Sequence, residues 1–446
     1  MNTIINNPKT ININNASQNY LKVESKNKIS GLLNVSGAKN SALVLMAASL
    51  LTDKPLFINN VPSLADINSM SKLLISCGKD LKFDKNRLEI TNREGSYSEK
   101  DLSKEIFSSL RAGFFCIGPL LTRKGKITIP LPGGCAIGER PIEEHLNGLR
   151  ALGANIEIIN NHVKAEIVNP IGKLTGAKIK LKCKSVGATE TLIMAATLAK
   201  GDTIIENAAK EPEIKDLADM LNKMGAKIYG AGKSLILIKG VNNLSGTCHN
   251  VIPDRIEAGT LLIAAAIMRS SITIAPVVPE HIESLILKLE ECGCVFSYSH
   301  PSLTINAKKE LSGVKIVTSP FPGFPTDLQA PFMALMTTLN GISTIEETVF
   351  ENRMQHVEEL IRMGADIVLK DNIAYINGVN KLKATALTGR DLRSTAALIL
   401  ASLNAEGISI IQGLDHLNRG YENLTLKLNS VGTKISIISA PYLNNY

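Results

Sequence analysis

The stretch Leu221-Asn-Lys-Met-Gly225 recurs in outline five more times, as Leu74-Ile-Ser-Cys-Gly78, Leu149-Arg-Ala-Leu-Gly153, Leu289-Glu-Glu-Cys-Gly293, Leu360-Ile-Arg-Met-Gly364 and Leu428-Asn-Ser-Val-Gly432. The glycines are spaced 75, 72, 68, 71 and 68 residues apart. A leucine stands four residues before each glycine, and Met70, His145, Leu217, Leu285, His356 and Leu424 stand eight before, which is one stripe of a helix. The glycine itself suits the left-handed position that ends a helix. Helix starts are marked by Pro62-Ser63, Pro141, Pro212 and Pro279, since proline is favoured in a first helical turn.

Upstream of this amphipathic helix five units carry an apolar, Ala-rich segment: 42–51, 191–199, 259–268, 330–339 and 395–403. A helix apolar on most faces is buried. The remaining unit has 106–121 there, interrupted by Gly113 and Pro119. Short β-branched runs follow the apolar segments at Leu56, Thr203, Ile272, Ser343 and Ile408. Each repeat therefore reads as strand, buried helix, strand, amphipathic helix, strand, strand. Six such units divide into two groups of three, giving two α/β domains with helices inside and sheets outside, and a groove between them for ligands. A continuous solenoid is the alternative, but its repeats usually run 20 to 45 residues, shorter than these.

The 446 residues allow two domains, and 44% apolar with 20% charged residues is the composition of a folded chain. Aromatics are only 4% with no Trp, so the cores must be aliphatic. Charge is 49 basic against 41 acidic, a net +8, of which +3 lies in residues 1–28. No run of four or more basic residues occurs and the few aromatics are not interleaved with them, which argues against nucleic acid and for a field that steers an anionic small substrate. No apolar run reaches a membrane span and the first residues do not read as a secretory signal, so a cytoplasmic location is expected. Seven cysteines without a CxxC pair fit a reducing compartment, without a disulfide or zinc framework.

Four places break the packing logic of the repeat. Val35-Ser36-Gly37-Ala38-Lys39-Asn40-Ser41 is a strand-to-helix turn where free N–H groups and Lys39 make an anion site, or else a capped helix with a solvated lysine. Leu131-Pro132-Gly133-Gly134-Cys135-Ala136-Ile137-Gly138-Glu139-Arg140-Pro141 surrounds one cysteine with three glycines, a mobile loop whose thiol Arg140 could activate, or else a loop cysteine of no consequence. Asp327 heads an apolar helix after Pro322-Gly-Phe-Pro325-Thr326; it caps that helix or, facing a groove, accepts a proton. Arg111, Arg393 and Arg419 lie near helix starts, as bidentate phosphate or carboxylate binders would.

Taken with Ser185-Val-Gly-Ala-Thr189, Glu206-Asn-Ala-Ala-Lys-Glu-Pro212, Pro253-Asp-Arg-Ile256, Phe350-Glu-Asn-Arg353 and Asn418-Arg-Gly-Tyr421, these motifs closely resemble the enolpyruvyl transferase family, and within it the enzymes acting on UDP-N-acetylglucosamine. The resemblance runs in order from about residue 31 to 432. It implies the inside-out α/β barrel, with residues 1–38 plus 251–446 in one domain, 39–250 in the other, and residues 1–19 as a disordered extension. It implies transfer of the enolpyruvyl group of phosphoenolpyruvate to the 3′-hydroxyl of UDP-N-acetylglucosamine with release of phosphate, the first committed step of peptidoglycan synthesis. By the same resemblance Cys135 is the general acid and the site of a covalent adduct. Asp327 is the base toward the 3′-hydroxyl, or toward the adduct in the elimination step, while Lys39, Asn40, Arg140, Arg393 and Arg419 hold phosphoenolpyruvate. Arg111, Arg140, Pro141, Ile142, Glu143, Glu144, Ser185, Val186, Asp327 and Val349 contact the nucleotide sugar. Lys39 and Arg419 also act in catalysis, as preorganised charge.

The resemblance implies neither a metal nor a cofactor, two small-molecule substrates as partners, and sensitivity to fosfomycin through the loop thiol; composition argues against nucleic acid and membrane, and a monomer is one open possibility for the oligomeric state. Glu143 and Glu144 depart from the Asp and Leu common in the family, and Cys183 stands where some members carry a diphosphate-contacting Lys. The rivals are a shikimate 3-phosphate enolpyruvyl transferase, which lacks the loop cysteine, and a non-catalytic nucleotide-sugar sensor. The sensor would be expected to have lost Cys135, Asp327 or Arg419.

Overall fold

A computed structural model describes residues 19–25, 28–93, 111–132, 142–307 and 310–439. All six helix-ending glycines adopt positive φ, 88° at Gly78, 95° at Gly153, 104° at Gly225, 110° at Gly293, 88° at Gly364 and 113° at Gly432. They close the amphipathic helices Ala65–Ser76, Glu143–Ala151, Pro212–Lys223, Glu283–Cys292, Val357–Arg362 and Leu424–Ser430. The Ala-rich segments form the helices Lys39–Ala48, Val186–Thr197, Arg255–Ile267, Gln329–Met336 and Leu392–Leu403. In Gln329–Met336 every residue is buried, as it is from Ile256 onward in Arg255–Ile267. The interrupted unit forms a 3-10 turn at Arg111–Cys116 and then the helix Ile117–Lys124, which ends at left-handed Gly125. Residues 106–110 lie outside the described region.

Each unit has its own outer sheet. Five sheets share one order: a strand paired parallel to the strand that follows the buried helix, then two antiparallel strands. The sixth, Lys126–Pro130 with His162–Ile167 and Ala154–Ile159, contains the antiparallel part among the described residues. Buried helices inside and sheets outside give the inside-out α/β arrangement.

The chain passes twice between its two cores. One apolar core takes Leu21 to Val35 with Ile256 to Ile435, and the other takes Ala38 to Val251. Strand Ser30–Asn34, which precedes the first buried helix, pairs parallel with Ser271–Ala275 in the C-terminal half. Strand Thr247–Asn250, which precedes the fourth, pairs parallel with Leu56–Asn59 in the N-terminal half. The two units thus exchange their leading strands. Strand Asn19–Glu24 completes the four-stranded sheet of the last repeat, between Ile408–Gln412 and Lys434–Ser439. Where the passages run side by side, Ala38 N–H donates to the Ile252 carbonyl (2.8 Å) and Asp254 N–H to the Ser36 carbonyl (2.8 Å). Gly37 has no room for a side chain there: a Cβ would lie 1.7 Å from the Asn60 carbonyl oxygen.

No helix among the described residues is long and apolar enough to cross a membrane.

Candidate active site

The two passages lead into the N-termini of two buried helices, and one carboxylate ties them together. Asp254 caps Arg255–Ile267 by accepting from Ile256 and Glu257 N–H (2.8 and 3.0 Å), and its other oxygen accepts from the Lys39 N–H (3.1 Å). Lys39, the first residue of its helix, is therefore held at the junction of the two cores. Its ammonium reaches Asp66 (3.3 Å) and is largely buried. Burial pushes that ammonium below the usual lysine value, against the opposing charge of Asp66, with the nearby Arg393 lowering it further.

Asp66 lies in the first turn of Ala65–Ser76 and also accepts from Arg419 Nε (2.9 Å), which comes from the other half of the molecule. Arg419 is half-exposed, so the rest of its guanidinium is available to an anion. A buried lysine and an arginine thus converge on one carboxylate, as they would on a bound phosphate.

Asp327 forms a second charged centre. Residues Thr326–Leu328 form a short 3-10 turn ahead of Gln329–Met336, and Asp327 has both oxygens engaged, Oδ1 with Arg353 (2.6 Å) and Oδ2 with Arg393 (2.8 Å). Burial alone would raise its carboxyl, but these two guanidiniums hold it well below the usual carboxylate range, so it is ionised at neutral pH. Arg393 sits in the first turn of Leu392–Leu403, whose start is fixed by a reciprocal Asp391–Ser394 cap. Its guanidinium lies 5.2 Å from the centre of the Tyr421 ring, and the Tyr421 hydroxyl shares a hydrogen bond with Thr260 (2.8 Å). Arg353 also donates to Thr326 (2.9 Å), while Glu347 accepts from Thr326, Thr318 and the N–H groups of Val349 and Phe350. Each arginine thus has a further partner besides Asp327: Thr326 for Arg353 and the Tyr421 ring for Arg393.

Of the site residues expected from sequence, Lys39, Asp327, Arg393 and Arg419 are brought together at the junction. Asn40 is exposed beside Lys39. Val349 is held through its backbone to Glu347 (2.8 Å). Ile142 precedes Glu143–Ala151, whose first turn contains exposed Glu143 and buried Glu144, and Glu144 accepts from Lys182 N–H (2.8 Å). Ser185 caps Val186–Thr197 by accepting from Ala188 N–H (3.2 Å). These last residues form a separate group in the N-terminal half. Arg111 opens its 3-10 turn. Cys135, Arg140 and Pro141 lie outside the described residues. Among the described residues, no group of three or more His, Cys, Asp or Glu is arranged to hold a metal.

Sequence reasoning did not select Asp66, Asp254 or Arg353 as site residues. Asp66 looks like an ordinary acid at a helix start, and Asp254 and Arg353 were visible only as parts of motifs.

A family model described as EPSP synthase (3-phosphoshikimate 1-carboxyvinyltransferase) matches residues 23–428. The chain belongs to this enolpyruvyl transferase family. Two relatives from Prochlorococcus marinus are similar over nearly the whole length. One, named UDP-N-acetylglucosamine 1-carboxyvinyltransferase 2, is 62% identical over 93% of this chain and 97% of its own. The other, named UDP-N-acetylglucosamine 1-carboxyvinyltransferase, is 57% identical over 94% and 91%. Among solved structures, the enolpyruvyl transferase NikO from Streptomyces tendae superposes with a TM-score of 0.84 at 21% identity, covering 95% of this chain and all of that one. EPSP synthase from Acinetobacter baumannii does so at 0.72 and 17%, covering 95% and 100%. These two likenesses establish the enolpyruvyl transferase fold. The chain is an enzyme of that family, acting on small molecules.

Proposed function

We propose that this enzyme transfers the enolpyruvyl group of phosphoenolpyruvate to the 3′-hydroxyl of UDP-N-acetylglucosamine and releases phosphate, the step that commits the sugar to peptidoglycan. The observation that carries this is the convergence of Lys39, Arg393 and Arg419 around two carboxylates at the junction of the cores, in a chain 62% identical to a relative named for that reaction.

Addition requires a proton delivered to the methylene carbon of phosphoenolpyruvate and attack by the hydroxyl on the neighbouring carbon. Elimination then removes a proton from the new methyl group as the carbon–phosphate bond breaks. We assign the proton donor to Cys135, which also forms the covalent adduct. Lys39, Arg140 and Arg419 hold the phosphate and carboxylate, with Asn40 and Arg393 beside them. Asp327 is the base. Its two arginines make the free carboxylate a weak base, and this favours a substrate-triggered one: when the carboxylate of phosphoenolpyruvate draws on Arg393, Asp327 loses half its counter-charge and its proton affinity rises. For the nucleotide sugar we propose Arg111, Arg140, Pro141, Ile142, Glu143, Glu144, Ser185, Val186 and Val349, together with Asp327.

The core clusters support a division into residues 1–38 with 251–446 and residues 39–250, with the site between the two domains. The six described cysteines are free thiols, which supports a cytoplasmic location. The family description favours a second reading, in which shikimate 3-phosphate is the acceptor. Identity of 57 to 62% to relatives named for the nucleotide sugar, against 17% to an EPSP synthase structure, weighs against it. The test is the product: incubation with both substrates should give the nucleotide sugar carrying an enolpyruvyl ether at O3′ by mass and NMR. An unaltered sugar would reject the proposal.

A further inference from the structure

Three charged groups of the site sit on three different segments. Lys39 follows the first passage between cores, Asp66 starts the helix Ala65–Ser76, and Arg419 follows the short helix Leu414–Leu417 in the opposite half. One side chain on the third segment bonds to the other two. Glu422, three residues after Arg419, accepts the Ser36 hydroxyl with Oε2 and the Ser63 N–H with Oε1 (2.6 Å). Ser36 lies three residues before Lys39 and Ser63 three before Asp66. We propose that Glu422 is a positioning residue for the phosphoenolpyruvate site, fixing the separation of Lys39, Asp66 and Arg419 across the two halves of the molecule. This rests on the proposed function.

The bonding around Ser36 supports an acceptor at Glu422. The Ser36 hydroxyl receives a hydrogen bond from Lys427 Nζ (2.7 Å), so its own proton must be given to an acceptor. Lys427 in turn pairs with buried Glu257, which also accepts the Ser36 N–H (2.9 Å). Ser36 is thus fixed on both sides. The exposed Ser63 N–H donates to the other oxygen, so both oxygens of Glu422 face donors. A parallel backbone bond, Ala65 N–H to the Asn418 carbonyl (3.1 Å), runs alongside and keeps the segments adjacent when the Glu422 side chain is removed. Loss of Glu422 therefore shifts the charged groups without dismantling the contact. A misplacement on the order of 1 Å in a positioning group costs about 100-fold in rate.

The test uses the full-length enzyme with steady-state phosphate release in both substrates, and direct titration of phosphoenolpyruvate binding. Glu422→Ala is expected to lower kcat/KM for phosphoenolpyruvate by about 10- to 100-fold, while KM for the nucleotide sugar stays within about twofold. Glu422→Gln keeps one acceptor for Ser63 and is expected to recover part of the loss. A general structural role would lower both substrates' parameters together with the unfolding midpoint. An equal loss for both substrates, or kcat/KM for phosphoenolpyruvate within about twofold of wild type in Glu422→Ala, overturns the proposal while leaving the assigned reaction standing. A wild-type enzyme that neither binds nor turns over phosphoenolpyruvate overturns the functional reading itself.

Discussion

Replacing Asp327 by asparagine separates the two duties of this side chain, because the shape is kept and the charge is lost. Arg353 and Arg393 have side chains only 6% and 8% exposed, and both lose their counter-ion. Breaking a buried pair by removing one partner costs about 3 to 5 kcal/mol. Asp327 itself is 26% exposed, so water relieves part of the charge and roughly 2 to 3 kcal/mol of destabilisation is expected. Phosphate or phosphoenolpyruvate supplies the missing anion, so either should stabilise Asp327→Asn more than wild type in denaturant titrations. Catalysis should respond differently. Loss of a general base lowers kcat by about 10²- to 10⁴-fold, or about 3 to 5 kcal/mol in barrier height. KM for phosphoenolpyruvate should not rise, since two guanidiniums are released toward its carboxylate. The assay is phosphate release at saturating nucleotide sugar across a range of phosphoenolpyruvate. A kcat within about threefold of wild type, or a tenfold rise in KM with kcat unchanged, would refute this role for Asp327.

Further expectations follow from burial and close contact. Gly37→Ala puts a Cβ 1.7 Å from the Asn60 carbonyl at the passage between cores. It should destabilise by about 1 to 3 kcal/mol and lower kcat/KM, whereas an unchanged denaturation midpoint would count against the rigid passage. His356 is buried, and burial pushes its imidazole down to about 4 from 6.5. The unfolded chain binds the extra proton between these values, so stability is lost as pH falls from 6.5 toward 4; 6.5 minus 4 corresponds to about 3 kcal/mol. His356→Leu should lose that much less stability over this window, as read from urea midpoints, and an identical pH slope would contradict the assignment. Fosfomycin should add one covalent equivalent to the enzyme and none to Cys135→Ser. Burial raises the thiols of Cys77, Cys292 and Cys294 to about 12, so peptide mapping that found the label on any of these would remove Cys135 from its assigned role.

The fold was legible where the signal is local. A glycine that ends a helix, preceded by a leucine four residues back, is a statement about one turn of chain, and all six such glycines have the expected left-handed backbone. The Ala-rich segments announced burial because no polar face remained to meet water. The exchange of leading strands between the first and fourth units carries no local signal. Ser30–Asn34 and Thr247–Asn250 would suit either sheet, and only the resemblance pointed to a crossing.

The site divides in the same way. Lys39, Asp327, Arg393 and Arg419 interrupt local packing patterns and were visible for that reason. Asp66 was not, because it pairs with an arginine 353 residues away and sits where any helix accepts an acid. Asp254 and Glu422 were hidden similarly: each acts by holding two distant segments. Arg353 is buried behind Asp327, and its partners Thr326 and Asp327 become apparent only when the sheets close around them.

The central claim is tested most directly by phosphate release from phosphoenolpyruvate in the presence of UDP-N-acetylglucosamine, of shikimate 3-phosphate, and of neither. The account predicts release that depends on the nucleotide sugar, with no turnover on shikimate 3-phosphate above the acceptor-free rate. Release driven by shikimate 3-phosphate, or by neither acceptor, would contradict it.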